Sequence, residues 1–237
     1  MFDYTLRESP RARNVRFRVS ARDGLVVVVP RGFEVRRVPA LLESRRPWIE
    51  RALGSVEAQR ELRAAQLVAG PPQRLHLRAI DEEWSVEYRK TTAAGVSARE
   101  HDGYRLVVSG GIADPTATRD AIRRWLARRA KATLARRLLL LAEEHGYAVR
   151  RVAMRWQRSR WGSCSPSGTI SLNTQLLFLP APLAEYVLLH ELCHTVNLDH
   201  SAAFWARVGM HEPGHRRLKR ELRDVGWGHV PAWLQSE

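Results

Sequence analysis

Apolar and polar positions alternate along the first thirty residues, and then the period changes. Tyr4-Thr-Leu-Arg-Glu8 and Val15-Arg-Phe-Arg-Val19 follow the two-residue spacing of half-buried strands. Leu25-Val-Val-Val-Val29 is apolar throughout and reads as a buried strand stopped by Pro30, and Asp23-Gly24 before it predicts a hairpin turn. From Val38 to Leu53 the spacing becomes helical, with Leu41, Leu42, Trp48, Ile49 and Leu53 available to a core and Pro47 dividing two helices. Residues 54 to 72 are polar and end in Ala-Gly-Pro-Pro, a helical tail followed by a loop. Arg74-Leu-His-Leu-Arg78, Trp84-Ser-Val-Glu-Tyr88 and Arg105-Leu-Val-Val-Ser109 then predict a small curved sheet closed by Gly110-Gly111. Such a sheet serves as packing, or offers an edge to an extended peptide.

Asp114-Pro115 signals a helix start, and Ile122, Trp125, Leu126, Leu134, Leu138 and Leu141 recur at helical spacing up to a stop at Gly146. Arg151 to Trp156 and Thr169 to Asn173 read as two strands flanking a loop from Ser159 to Gly168, a candidate cleft wall. An apolar run, Tyr186-Val-Leu-Leu, then leads into His190-Glu191-Leu-Cys193-His194.

This last segment is H-E-x-x-H, in which histidines at i and i+4 lie one turn apart on one face of a helix, close enough to hold one metal ion. Glu191 projects beside such an ion, where it can take a proton from a metal-bound water and pass it to a leaving amine. His200 follows six residues after His194, so the stretch reads H-E-x-x-H-x-x-N-x-x-H. That is the metzincin spacing with Asn197 at the glycine position, and asparagine is the residue after glycine that best tolerates the left-handed conformation expected there. Three neutral imidazoles favour Zn2+ with one open position for water. Glu212 is the alternative third ligand, although it sits in a Pro-Gly turn. Met210 follows His200 too closely for a methionine turn. Cys164 is either a fourth ligand holding the site latent or a small buried side chain, and Asn173 is a candidate to orient a ligand or a substrate carbonyl. Cys193 points away from the face of His190 and His194, toward the core. The stripe Phe204, Trp205 and Val208 also reads as core, and the tail from Trp227 to Trp233 either packs or frays.

Arg160-Trp-Gly-Ser-Cys-Ser165, Ile170-Ser-Leu-Asn173, Leu177-Phe-Leu-Pro180, the H-E-L-C-H segment and Asp199-His-Ser-Ala-Ala-Phe-Trp205 together resemble the YgjP-like metallopeptidase family, related to the SprT-like and WLM zinc peptidases. Ser9-Pro-Arg-Ala-Arg13, Gly24 to Pro30 and Pro47-Trp-Ile49 extend the resemblance toward the N-terminus. It implies an α+β fold, with a β-rich N-terminal region over residues 1–112 and a zincin-like metallopeptidase domain over 113–237. It also implies one zinc ion per chain held by His190, His194 and His200, Glu191 as general base, and a peptide or protein substrate.

Bulk properties change this picture little. At 237 residues with 44% hydrophobic content the chain can bury a substantial core. No apolar run reaches the ~18 residues of a membrane helix, and Met1 to Glu8 carries no secretion signal, so no membrane partner and a cytoplasmic location are expected. Cys164 and Cys193 suit a reducing compartment without disulfides. A net charge of +14 invites nucleic acid. The excess is almost all arginine and is scattered in pairs, including Arg123-Arg124 and Arg128-Arg129, which reads as a solvated face. A DNA-associated protease, of the kind the resemblance to SprT-like peptidases suggests, is kept as an alternative. So is a non-catalytic zinc-stabilised binding module, although it leaves Glu191 without a task.

Overall fold

The computed structural model describes residues 2–20, 23–68 and 70–235. The fold is α+β and divides into two compact units, Met1–Val68 and Ala69–Glu237.

In the first unit, β1 (Thr5–Ser9), β2 (Arg16–Ser20) and β3 (Gly24–Pro30) form a sheet in the order β1-β3-β2. The all-apolar strand is the central one, pairing in parallel with β1 and antiparallel with β2. A central strand covered on its faces needs no polar side, and Leu25, Val26, Val27 and Val29 are buried. Two helices follow, α1 (Val38–Ser44) and α2 (Arg46–Val68). The break falls just before Pro47, which occupies the first turn of α2, where its missing N–H has no helical partner to lose. Val38, Leu42 and Ile49 close the core against β3.

The second unit opens with β4 (Arg74–Leu77), β5 (Glu82–Lys90), β6 (Val96–His101) and β7 (Arg105–Gly110), in the order β4-β5-β7-β6. Strand β6 was not expected from the sequence. Its alternating buried positions, Val96 and Ala98, are too small and too few to stand out from Ser-Ala-Arg-Glu. The expected boundary near residue 112 differs from the division at Val68/Ala69, because this sheet shares its core with the helices that follow. Trp84 on β5 meets Trp125 edge-on at 5.0 Å. Buried Glu82 accepts hydrogen bonds from Trp84 and from Arg129, and Trp125 Nε1 donates to Glu100 at 2.7 Å.

The long helix runs as α3 (Pro115–Ala130), a π turn at Lys131–Ala135 and α4 (Arg136–His145). Asp114 caps it by accepting from the backbone N–H groups of Thr116 and Ala117, and Gly146 ends it at φ 71°. A three-stranded sheet follows: β8 (Arg151–Arg155), β9 (Gly162–Cys164) and β10 (Thr169–Asn173), with β10 central, parallel to β8 and antiparallel to β9. The segment read as a loop therefore contains the edge strand. The remaining helices are α5 (Ala181–Cys193), α6 (Ala202–His211), α7 (His215–Val225) and α8 (Ala232–Gln235).

The arginines of α3, read above as a solvated face, are used internally. Arg119 Nε donates to the Trp233 carbonyl at 2.9 Å and Arg123 Nε to the Leu234 carbonyl at 3.0 Å, which docks the C-terminal tail. Arg124 and Arg128 donate to the carbonyls of Val96 and Ala98 on β6. A guanidinium satisfies several carbonyls at once, so part of the positive excess is structural. The tail packs, with Val230, Trp233 and Leu234 buried.

Candidate metal centre

Helix α5 is apolar on nearly every side and sits in the middle of the second unit, the position expected of a helix without a polar face. His190, Glu191 and His194 lie on its last turn and end. The helix closes through tight hydrogen bonds, Thr195 N–H to the Leu192 carbonyl at 2.9 Å and Val196 N–H to the Cys193 carbonyl at 3.2 Å. The chain then turns and α6 begins, capped by Ser201, with His200 just before it.

The turn does not use a left-handed residue. Among the described non-glycine residues only Asp81 and Tyr104 have positive φ, so Asn197 is not the glycine substitute that the motif spacing suggested. The short-range bonds at the helix end already reverse the chain. Asn197 contributes its carbonyl instead, 2.9 Å from His194 Nδ1. A carbonyl only accepts, so Nδ1 carries the proton and Nε2 is left with a free lone pair. The Asn197 side chain is held in turn by Arg207 Nε at 3.0 Å.

The structure brings the three histidines together, with one ring nitrogen of each lying within 4.8 Å of the others. His190 Nε2 and His200 Nε2 stand 3.2 Å apart. Two nitrogens on a tetrahedral ion at Zn–N of about 2.05 Å would be separated by roughly 3.3 Å, so this pair fits such an ion. Burial pushes the His190 pKa down to about 3, with His194, His200 and Lys219 adding to the effect, and burial also lowers His200. Both rings are therefore neutral donors at neutral pH. Phe204 stacks on His194 at 4.3 Å, and Trp205 stacks on His200 at 5.5 Å.

Glu191 is buried beside this cluster. Burial raises its pKa to about 8, opposed by the charge of Arg160, and its Oε2 has no hydrogen-bond partner among the described residues. It lies against the backbone of β9 so closely that a Cβ on Gly162 would fall 2.6 Å from its Oε1 and 2.7 Å from its Cγ. A cavity of about 450 Å³ opens in front, lined by His190, Glu191 and His200 together with Trp161, Gly162, Tyr186, Val187, Trp205, Lys219 and Leu222.

Three residues considered as candidates for the site make other contacts. Asn173 is fully buried and holds the loop before β9, with Nδ2 donating to the carbonyls of Gln157 at 2.7 Å and Arg160 at 2.8 Å and Oδ1 accepting from Gln175 N–H at 3.1 Å. Its amide is spent on these backbone groups. Cys164 is half-buried against the core, its thiol pKa raised by burial and by Glu191, and it is outside the histidine cluster. Glu212 accepts from Gly214 N–H at 2.8 Å and closes its own turn.

Sequence reasoning did not place Gly162, Tyr186, Trp205 or Lys219 at the site. Tyr186 was within reach of it, since it precedes His190 by four residues on the same helix face. Gly162, Trp205 and Lys219 come from other elements, and no spacing rule connects them to α5.

No curated protein matches the chain. Among solved structures, the metallopeptidase zymogen of Pyrococcus abyssi abylysin is 27% identical, over 38% of this chain and 91% of that chain, with a TM-score of 0.34. A family model described as YgjP-like, metallopeptidase domain, matches residues 13–225, nearly the whole chain, and the protein therefore belongs to the YgjP-like metallopeptidase family.

Proposed function

We propose that the protein is a zinc-dependent peptidase in which His190, His194 and His200 hold the ion and Glu191 is the general base. The supporting observation is the convergence of three imidazole nitrogens, two of them on rings that burial keeps neutral, with a buried carboxylate opening onto the same cavity. A bound Zn2+ would polarise a peptide carbonyl, acidify a water and offset the burial that raises Glu191.

Around that ion the chain's own groups divide the work. The Asn197 carbonyl fixes the His194 tautomer so that Nε2 faces inward. Glu191, pressed on Gly162, accepts the proton of the attacking water and delivers it to the departing nitrogen. Trp161, Val187 and Leu222 shield the cavity from bulk water on their sides.

The test is elemental analysis of wild type, His200→Ala and Glu191→Gln, with casein cleavage assayed on the same samples. One zinc per chain is expected in the wild type, and weakened binding in His200→Ala. Glu191→Gln should keep its zinc and lose roughly 10²-fold or more of activity. Zinc indifferent to His200→Ala would overturn the ligand set, and full activity in Glu191→Gln would overturn the role of the base.

A further inference from the structure

Most of the cavity wall is apolar, and beside the metal-site residues its polar side chains are Tyr186, whose hydroxyl is neutral, and Lys219, which carries a charge. The Lys219 ammonium stands 3.8 Å from the centre of the Trp205 ring, and Trp205 stacks on His200. A cation is thus held on an aromatic plate that touches the proposed ligand set, close enough for its charge to act on both His190 and His200.

Among the described residues no carboxylate lies within ion-pair distance of Lys219. One turn away along α7 stand His215, Arg216, Leu222 and Arg223, none of them acidic. The acidic residue close by in sequence, Glu221, is paired with Arg217 at 3.3 Å. The cavity's own carboxylate, Glu191, is pressed on Gly162 and already has the proton-carrying task. Lysine is also rare in this chain, occurring only at 90, 131 and 219 among 39 Lys and Arg. Its compact ammonium acts as a point charge and needs no fork-shaped partner.

We propose that Lys219 is the substrate-recognition cation of the cleft, and that the preferred peptide carries a carboxylate next to the scissile bond. This rests on the peptidase reading above. The carboxylate is supplied by a Glu or Asp side chain or by the free C-terminus of a short peptide, and both present the same group to the ammonium. In a cavity otherwise lined by apolar and aromatic side chains, one placed charge is what orients a ligand and selects it. A neutral substrate would leave the cation without an anionic partner, whereas a carboxylate would gain a charge-assisted hydrogen bond.

The experiment uses the full-length zinc-loaded protein and a defined set of internally quenched octapeptides. Each position flanking the scissile bond carries Glu, Gln or Ala, and each peptide is made with a free or an amidated C-terminus. Wild type should cleave the matched Glu peptide with kcat/KM about ten-fold above its Gln counterpart if a side chain supplies the carboxylate. The same margin of free over amidated peptide would identify the C-terminus as the source. Lys219→Met, which keeps the hydrocarbon stem on Trp205, should remove either preference, and Lys219→Arg should retain most of it. The proposal is overturned if wild type cleaves charged and neutral peptides equally, or if the preference survives in Lys219→Met; in both cases the peptidase reading stands. If wild type cleaves none of the peptides, the peptidase reading itself fails and this inference fails with it.

Discussion

Adding one methyl group at Gly162 is the sharpest perturbation the site offers. An alanine Cβ would stand 2.7 Å from Glu191 Cγ and 2.8 Å from its Cδ. Carbon atoms pack at about 3.5–4.0 Å, so the shortfall is about 1 Å. The strand cannot easily retreat: Gly162 is paired with Leu172 on the central strand, and Asn173 N–H donates to the Trp161 carbonyl at 2.8 Å. Nor can α5, since Leu188, Leu189 and Leu192 around Glu191 are buried. The carboxylate therefore moves by about 1 Å, a displacement that costs on the order of 10²-fold in rate when the group acts in the reaction. Overpacking of this kind should also lower stability by ~1–3 kcal/mol. The new methyl meets Glu191 rather than the histidines, so zinc should remain bound. The assays are kcat on a peptide cleaved by wild type, zinc content and urea unfolding. A folded, zinc-loaded Gly162→Ala enzyme with wild-type kcat would refute the placement of Glu191 against β9 as a requirement of the reaction.

Glu191 also predicts a pH effect on the metal-free protein. Its carboxyl titrates near 4.5 when unfolded and at about 8 in the fold, so its neutral form stabilises the fold at acid pH. That contribution, at most ~5 kcal/mol, is lost as pH rises from 4.5 through 8, and chelated Glu191→Gln should gain on chelated wild type over that window. A melting-temperature difference that stays constant from pH 4.5 to 8 would disprove it. Asn173→Ala takes the side-chain partner from the Arg160 carbonyl and the buried Gln175 N–H and should destabilise by ~2–4 kcal/mol while retaining zinc. Loss of zinc at unchanged stability would return Asn173 to the metal. Gly54→Ala, in the interior of α2 with nothing within 4 Å of the added carbon, should raise the melting temperature of the first unit, by up to ~1 kcal/mol in stability. Any destabilisation there would mean that the helix is packed at that position.

Features written within a few neighbouring residues were legible from the sequence. The apolar run Leu25–Val29 specifies a central strand because a strand covered on both faces has no polar positions to show. Asp114 before Pro115 and Gly146 mark the ends of the long helix through bonds and dihedrals local to those ends. His190 and His194 share a face because the helix repeats every 3.6 residues, and the distance to His200 leaves room for one turn of chain. Features that join separate elements were not legible. Small residues concealed β6, and three residues were too few to announce β9. Asn197 was assigned a conformation from its place in the motif, and the actual turn is closed by backbone bonds that need no left-handed residue.

By itself, then, the chain determined its strongly patterned strands and helices, the ends of the long helix and the spacing of its histidines, because each depends on backbone geometry repeated over one or two turns. Only the tertiary structure decided that the sheet of residues 74–110 belongs with the helices through Trp84 and Trp125, and that the arginines of α3 hold carbonyls of the tail and of β6. It also decided that Gly162 makes room for Glu191, and that Lys219 comes to rest on Trp205 beside His200. Each of these is a contact between residues on separate elements, and packing in three dimensions selects such contacts after the local structure has formed.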